Sequence, residues 1–482
     1  MERIAKAGND FNSFIHSVYE VVCEVTRNIV TEMMESLDEQ LMKDRDTSIY
    51  RNKGIRSTTV KTFIGDIAYK RRYYTRVDPS NEEIVRVFLL DEYLGIDGYI
   101  GKFCDDAIEL ITNSFMDLSC RKSAKAIMES TALEISHTTV WNAFQKASEQ
   151  HQKHMDYLVE ACNTKEVVGA IETKVLFKEA DGVNISIQGK DRPKGYGKRE
   201  LKVAKSYTGW KMIGKDRYET VDRVVYASFE KTNAFIKKVQ ALEEITYDTG
   251  GILKVIFGSD GAGWCKSVGE DADIFQLDTY HRNNAITRCI KDKAHRKAAM
   301  ELIQQKDIDT LLDYVEALVT SYEDPDAVDK AIQLLTYFTN NKNELLTWKE
   351  RDIELPDPPK GIVYRSLGTQ EHTNANVICT RMKNNGTSWS LNGGSNMALM
   401  LSLRAHRGDP DWIYNTSAIR DTLLLASPEP LSAAQVPVAI GNGYDGVRHG
   451  GWPYSNASTT VGRKQIKNIL EQKHISLIRY QG

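Results

Sequence analysis

A chain of 482 residues with 41% apolar and 27% charged side chains has the usage of an ordinary soluble protein, which excludes a disordered, collagen-like or disulfide-stapled polypeptide and predicts about two to four structural units. The formal net charge of -3 conceals local excess: residues 43–76 and residues 190–217 each hold ten Lys or Arg against three acidic residues, a net of +7, whereas residues 301–350 are acidic. Such asymmetry predicts separate basic surfaces for a polyanion on a protein kept soluble by acid elsewhere.

The seven cysteines are scattered without a CxxC pair, so reduced thiols and a cytoplasmic protein are expected rather than a structural zinc site. The opening MERIAKAGNDFNSF has no apolar stretch resembling a signal peptide, and no run reaches the roughly 18 apolar residues of a membrane span.

Over residues 10–41, Phe14, Val18, Val21, Val25, Ile29, Met33, Leu37 and Leu41 recur at steps of three and four, predicting an amphipathic helix that packs on its own domain or on a second copy. STTVKTFIGDIAYKRRYYTR then reads as a basic hairpin turning around Gly65–Asp66. Its KRRYY run is either a solvated strand edge or, through Lys70, Arg71 and Arg72 interleaved with tyrosines, a surface for a phosphate backbone. Residues 98–154 read as helical. Within them Ser123–Ser130, a turn and a second helix capped by Ser136 form a helix-turn-helix pattern, with Thr138, Thr139, Asn142 and Gln145 facing base edges and Val140, Trp141 and Phe144 turned inward.

From residue 167 to 280 the pattern becomes strand-rich, with strands near 173–177, 183–188, 201–207, 224–229, 253–257 and 274–277 and one helix over 232–243. Residues 285–350 read as four amphipathic helices, the last in NELLTWKE, ended by Pro356, Pro358 and Pro359. After residue 409 the tail is irregular, with a short basic helix over 463–472. Its Gly441, Gly443 and Gly446 spell GxGxxG, but no helix or ribose-binding acid follows, so no dinucleotide site is expected. The expected units are therefore 1–45, an amphipathic helix for oligomerisation; 46–97, the basic hairpin; 98–165, helical and helix-turn-helix-like; 166–284, a first core segment; 285–355, a helical insertion; 356–408, a second core segment; and 409–482, a tail.

Three acids end core-like segments in this reading: Asp181 in FKEADGVNISI, Asp260 in ILKVIFGSDGAGW and Glu371 in SLGTQEHTNANVICTRM, 79 and then 111 residues apart. Carboxylates at the tips of buried elements are costly unless something positive meets them, and three that converge are most simply explained by divalent metal. Each acid also has a plainer account: Asp181–Gly182 and Asp260–Gly261 as turns, Glu371 as a helix N-terminal acid. His281 is either a group beside the metals or a structural histidine, and Asp278 is the rival carboxylate.

These residues resemble a known family, the bacterial insertion-sequence transposases of the ISLre-two type, distantly similar to Mutator-like DDE transposases. The matching stretches are TVKTFIGDIAYKRRYY, FLLDEYLGI, EADGV, SDGAGW with LDTYHRNNAI, and EHTNANVICTRMKNNGTSWSLNGGSNMALMLSLRA, in that order. The resemblance implies an α/β multidomain protein whose RNase H-like core is interrupted by an all-helical insertion and preceded by a helical and β-hairpin DNA-binding region. It implies Asp181, Asp260 and Glu371 as the metal-holding triad, the family's aspartate-x-x-histidine on Asp278 and His281, and two Mg²⁺ or Mn²⁺ ions roughly 3.5 to 4 Å apart serving phosphodiester chemistry. Lys198, Arg199 and Lys202 in the second basic run, and Arg381 after the last acid, join the hairpin and helix-turn-helix as expected DNA contacts. A homo-oligomer on element ends and target DNA is the expected assembly. The alternatives are a DNA-binding relative that no longer cuts, and a structure-selective nuclease on the same core.

Overall fold

The computed structural model describes residues 10–77, 83–96, 98–164 and 169–406, so the GxGxxG run and the C-terminal basic helix lie outside the described residues. The chain divides into two compact units between Phe144 and Gln145.

The first unit opens with helix α1 (Phe11–Asp44), whose N-cap Asp10 accepts from the Ser13 N–H at 3.0 Å. Strands β1 (Arg51–Thr62) and β2 (Gly65–Val77) form the expected hairpin, and β3 (Ile84–Val87) pairs with the far end of β2. The turn is Phe63–Ile64, two residues earlier than the sequence predicts. Gly65 opens β2 with φ at 102°, and a Cβ there would sit 2.8 Å from Arg27 Nη1 and 3.2 Å from the Ala132 carbonyl, so only glycine fits.

Because β3 reaches only Tyr74–Val77, the middle of β2 is a sheet edge, and α1 covers it. Thr31 Oγ1 donates to the Ala68 carbonyl at 3.3 Å, while Glu35 and Asp38 accept the N–H groups of Lys70 (2.9 Å) and Arg72 (3.0 Å). Helix positions three and four apart, rising about 1.5 Å per residue, keep step with alternate strand residues rising about 3.3 Å each. The edge is thereby closed to pairing with another chain. Helices α2 (Leu89–Leu94), α3 (Asp105–Asp117), α4 (Cys120–Ser130) and the first turns of α5 (His137–Asn163) complete the unit. Phe115 packs edge-on against Phe144 with ring centres 4.8 Å apart, and Ser136 Oγ accepts the Thr139 N–H at 3.1 Å, the cap expected from sequence.

The second unit is built on five strands in the order β10-β9-β4-β5-β8. β4 (Val175–Ser186) pairs antiparallel with β5 (Lys198–Tyr207), which pairs antiparallel with β8 (Val224–Ser228); β9 (Lys254–Ser259) and β10 (Ile274–Leu277) run parallel to β4. β4 is one strand where the sequence predicts two, because Asp181 and Gly182 continue the ladder opposite Val203 and Lys202. A hairpin the sequence reading missed, β6 (Gly209–Gly214) and β7 (Arg217–Val221), forms a second sheet with β11 (Ile362–Val363). One face of the main sheet sets Leu176, Ala180 and Tyr226 against α6 (Thr232–Thr246), α7 (Gly263–Val268) and Leu399 of α14 (Leu391–Arg404). The other sets Val175 and Phe177 against Tyr207, Trp210, Trp348 and Leu367.

After β10 come α8 (Thr279–Cys289), α9 (Lys293–Gln304), α10 (Ile308–Ser321) and α11 (Pro325–Asn340), packed around Ile286, Leu311, Val315, Leu334 and Phe338. The helix predicted in NELLTWKE is instead one 3₁₀ turn, Lys342–Glu344, followed by turns. Buried polar partners hold that backbone open: Arg282 donates to the Leu345 carbonyl (2.6 Å) and to Glu350 (3.0 Å), and Gln276 accepts the Trp348 N–H at 2.9 Å. The chain returns through α12 (Gln370–Thr373), a π-helical stretch over Asn374–Cys379, and α13 (Thr380–Met382), one helical run without a break in φ and ψ. The protein is thus mixed α/β, with several sheets and a group of helices between the main sheet and its last helical run. Among the described residues no helix is long and apolar enough to cross a membrane.

Candidate functional site

Alternation along β4 places Glu179 and Asp181 on the face that carries Phe177. Since Ala180 lies opposite Ser259, the last pair of the parallel ladder, Asp181 and Asp260 are the next residues along the two chains, Asp260 just past the end of β9. Beyond β10, Asp278 caps α8, its Oδ1 accepting the N–H groups of Tyr280 (2.8 Å) and His281 (3.2 Å). That is the physical content of the aspartate-x-x-histidine spacing. The cap fixes the first turn of α8 so that His281 Nε2 stands 3.3 Å from Glu371 Oε1.

One ligand atom each of Asp181, His281 and Glu371 lies within 4.8 Å of the other two. Asp260 stands beside this trio and outside it. Its Oδ1 accepts the Ala262 N–H at 2.8 Å and its carbonyl accepts the Tyr337 hydroxyl at 2.8 Å. With His281, Asn284, Arg288, Gln333 and Tyr337 it lines a cavity of about 230 Å³.

The Asp181 carboxyl is pushed up to about 6, chiefly by burial, with Asp260 and Glu371 adding to the rise and His281 and the Gly182 N–H opposing it. Burial, then Asp260 and Asp181, likewise raises the Cys265 thiol. Negative charge is therefore crowded at this point of the sheet. A divalent cation would answer that crowding, and carboxylate oxygens with one imidazole nitrogen make a chemically suitable donor set. Carboxylate oxygens suit Mg²⁺ and Mn²⁺ alike.

Two supporting residues escaped the sequence reading. Asn374 Nδ2 donates to Asp181 Oδ2 at 2.8 Å, tying the last helical run to β4. Glu179 is buried two residues before Asp181 and accepts from the Tyr207 (2.7 Å) and Thr369 (2.6 Å) hydroxyls. It also accepts from the N–H groups of Gly368 (2.9 Å), Thr369 (2.9 Å) and Gln370 (3.2 Å), with the Lys205 ammonium at 3.3 Å. Burial alone would raise this carboxyl, but Lys205 and the hydrogen bonds outweigh it and hold it below the ordinary range. The anion thus anchors the start of the helical run that carries Glu371. The available signal was the acid at i−2 in KEAD, which shares a strand face with Asp181.

The expected DNA contacts separate into engaged and open side chains. Arg71 is held by Asp91 (2.7 Å) and stacks 3.8 Å over Phe88, and Arg72 is held by Asp38 (2.7 Å). Lys202 donates to the Glu230 carbonyl at 2.9 Å beside Trp264, on the sheet face opposite Asp181. Arg381 lies 4.9 Å over the Trp389 ring, and the Thr139 N–H serves the Ser136 cap. Lys70, Thr138, Asn142 and Arg199 are exposed, and Lys198 is half-buried beside Tyr196.

Residues 4–412 match the model of a family described as Uncharacterised protein family (UPF0236). No curated protein matches the chain. Among solved structures, the Drosophila P element transposase strand transfer complex aligns at 11% identity and a TM-score of 0.20 over 78% of this chain and 94% of that one. A pre-cleavage Mos1 transpososome aligns at 10% identity and a TM-score of 0.12 over 52% and 80%. Scores this low carry no structural argument.

Proposed function

We propose that this chain, which belongs to the uncharacterised protein family UPF0236, is a DDE transposase of a bacterial insertion sequence, of the ISLre-two type, working on the terminal inverted repeats of its own element as a homo-oligomer. The observation that carries the reading is the meeting of Asp181, His281 and Glu371 within 4.8 Å, with Asp260 just past the end of the neighbouring strand, in a sheet ordered β8-β5-β4-β9-β10. Three antiparallel strands followed by two parallel ones, with an acid on the central first strand, support the reading of an RNase H-like core. On that reading the helices between β10 and Glu371 would be its insertion.

Asp181, Asp260 and Glu371 would hold two divalent cations, with His281 beside them. When bound, such ions supply Lewis-acid stabilisation of charge on the attacking and leaving oxygens of an in-line displacement. The protein's own part is positional: Asn374 orients Asp181, Asp278 orients His281, and Glu179 sets the run that presents Glu371. In the first step a water oxygen bonds to phosphorus as the 3′ oxygen of the element end leaves and takes a proton. In the second that 3′-hydroxyl attacks a target phosphodiester, one P–O bond replacing another, so no external energy source is needed. Lys70, Thr138, Asn142, Lys198 and Arg199 would touch the DNA.

The test is Asp181→Asn and Asp260→Asn in a nicking assay on end-containing DNA with Mg²⁺ or Mn²⁺, beside a binding assay. Both variants should lose strand cleavage and keep end binding. Full cleavage by either would remove the assignment; a wild-type chain that binds ends without nicking would leave a DNA-binding protein, and end-independent cutting of branched DNA would indicate a nuclease.

A further inference from the structure

Helix α1 has two apolar stripes, and its own unit uses one. Met34 and Asp38 are buried against the hairpin, with Val30, Leu37 and Leu41 beside Met34 and Arg27 on the same side, and Cys23 is buried as well. On the opposite side Phe11, Ile15, Val18, Val22, Val25 and Ile29 follow one another at alternating steps of four and three, so that Ile15, Val22 and Ile29 repeat every seventh residue, as do Phe11, Val18 and Val25. That is the seam of a coiled coil. Phe14, Val21 and Met33 widen it. Exposures running from 38% at Phe14 to 73% at Phe11 leave on the order of 700 Å² of apolar surface on this one helix, more than the largest patch of a typical monomer and close to one partner's share of a stable interface.

The flanking positions say what covers it. From Phe11 to Ile29 the residues beside the seam are Asn12, Phe14, Tyr19, Val21, Thr26 and Asn28, none of them charged, so an identical helix meets no like charge over this stretch, and the exposed Glu32 at the next seam position ends it. We infer that α1 pairs with α1 of a second copy through this seam, while its inner face stays on its own hairpin. β-Branched residues at both seam positions do not restrict the assembly to two strands. The inference supplies the self-association that the transposase reading calls for and rests on that reading only for its purpose.

The measurement is the solution mass of the full chain at micromolar concentration by light scattering, which reads assembly and not cleavage. Wild type should have the mass of two chains or more. Val22→Glu with Ile29→Glu should fall to a single chain with an unchanged thermal melt, since both side chains lie on the outer face, and Gln40→Glu, outside the seam, should keep the assembly. A monomeric wild type, or a Val22→Glu, Ile29→Glu variant that stays assembled, overturns the inference, and a chain that assembles but never nicks DNA leaves it standing.

Discussion

Asp181 is half-buried among acids, and its replacement reads the charge at the site directly. Without metal, Asp181→Asn removes a carboxylate that burial and two like charges disfavour, so the variant should be more stable than wild type at neutral pH by about 1–2 kcal/mol, after discounting for partial exposure. With Mn²⁺ the order should reverse, because only wild type gains binding energy. Thermal melts of both proteins with and without Mn²⁺ decide it, and an unchanged ranking would mean that no ion binds there. A second residue sets the acid limit of the second unit. Burial lowers His154 on α5 to about 4, packed beside Tyr157, so the folded chain keeps it neutral while the unfolded chain protonates nearer its ordinary value of about 6.5. Stability is intact above that value and falls as pH drops towards 4, by about 2–4 kcal/mol from this group. His154→Leu should flatten that part of a denaturation-versus-pH curve; an unaltered slope would show that the loss lies elsewhere. Neither environment was legible beforehand: the acids could be listed from the sequence, but burial is a property of the assembled layers.

Elements were readable where pattern and local chemistry agreed. The hairpin, the capped start of α5 and the helices α10 and α11 followed from periodicity and caps, whereas the single helix expected over 285–304 divides into α8 and α9 with Asp292 capping the second; Asp278 and His281 were marked by the family resemblance, and their spacing is that of a cap. Reading failed where tertiary partners overruled local signals. Asp181–Gly182 has turn chemistry yet runs on as strand because β5 pairs through it, and NELLTWKE has a helical stripe yet stays open because Arg282 and Gln276 claim its backbone. The anchoring of the last helical run was invisible because Glu179 and Gly368 meet across 189 residues of chain. That anchor carries its own prediction. Glu179→Gln leaves Lys205 buried without its counter-charge, so unfolding free energy in denaturant should drop by about 3–5 kcal/mol. Adding Lys205→Met should recover much of the stability but not the nicking activity, because three backbone N–H groups at the start of the run still lack their anion. Recovery of both together would show that Glu179 serves packing alone.

At the scale of the molecule, a net charge of -3 conceals two basic tracts, one in each unit, and the fold decides which of their charges reach a polyanion. The sequence offered Lys70, Arg71 and Arg72 as equals. In the folded chain Arg71 and Arg72 hold Asp91 and Asp38, while Lys70 points outward. These are different physical roles with separable readouts. An exposed Lys that contacts phosphate contributes to counterion release, so Lys70→Ala, and likewise Arg199→Ala in the second unit, should each lower the slope of log affinity against log salt by about 1 for end-containing DNA, with thermal stability unchanged. Arg72→Ala should do the opposite: it uncovers the buried Asp38 carboxylate, costs about 2–4 kcal/mol of stability, and leaves the slope of the remaining folded protein as it was. Fluorescence anisotropy across a salt series, beside a melt of each variant, separates the two. A Lys70→Ala protein with the wild-type slope would place the DNA away from the hairpin, and an Arg72→Ala protein that keeps its stability but loses slope would show that this guanidinium leaves Asp38 for phosphate.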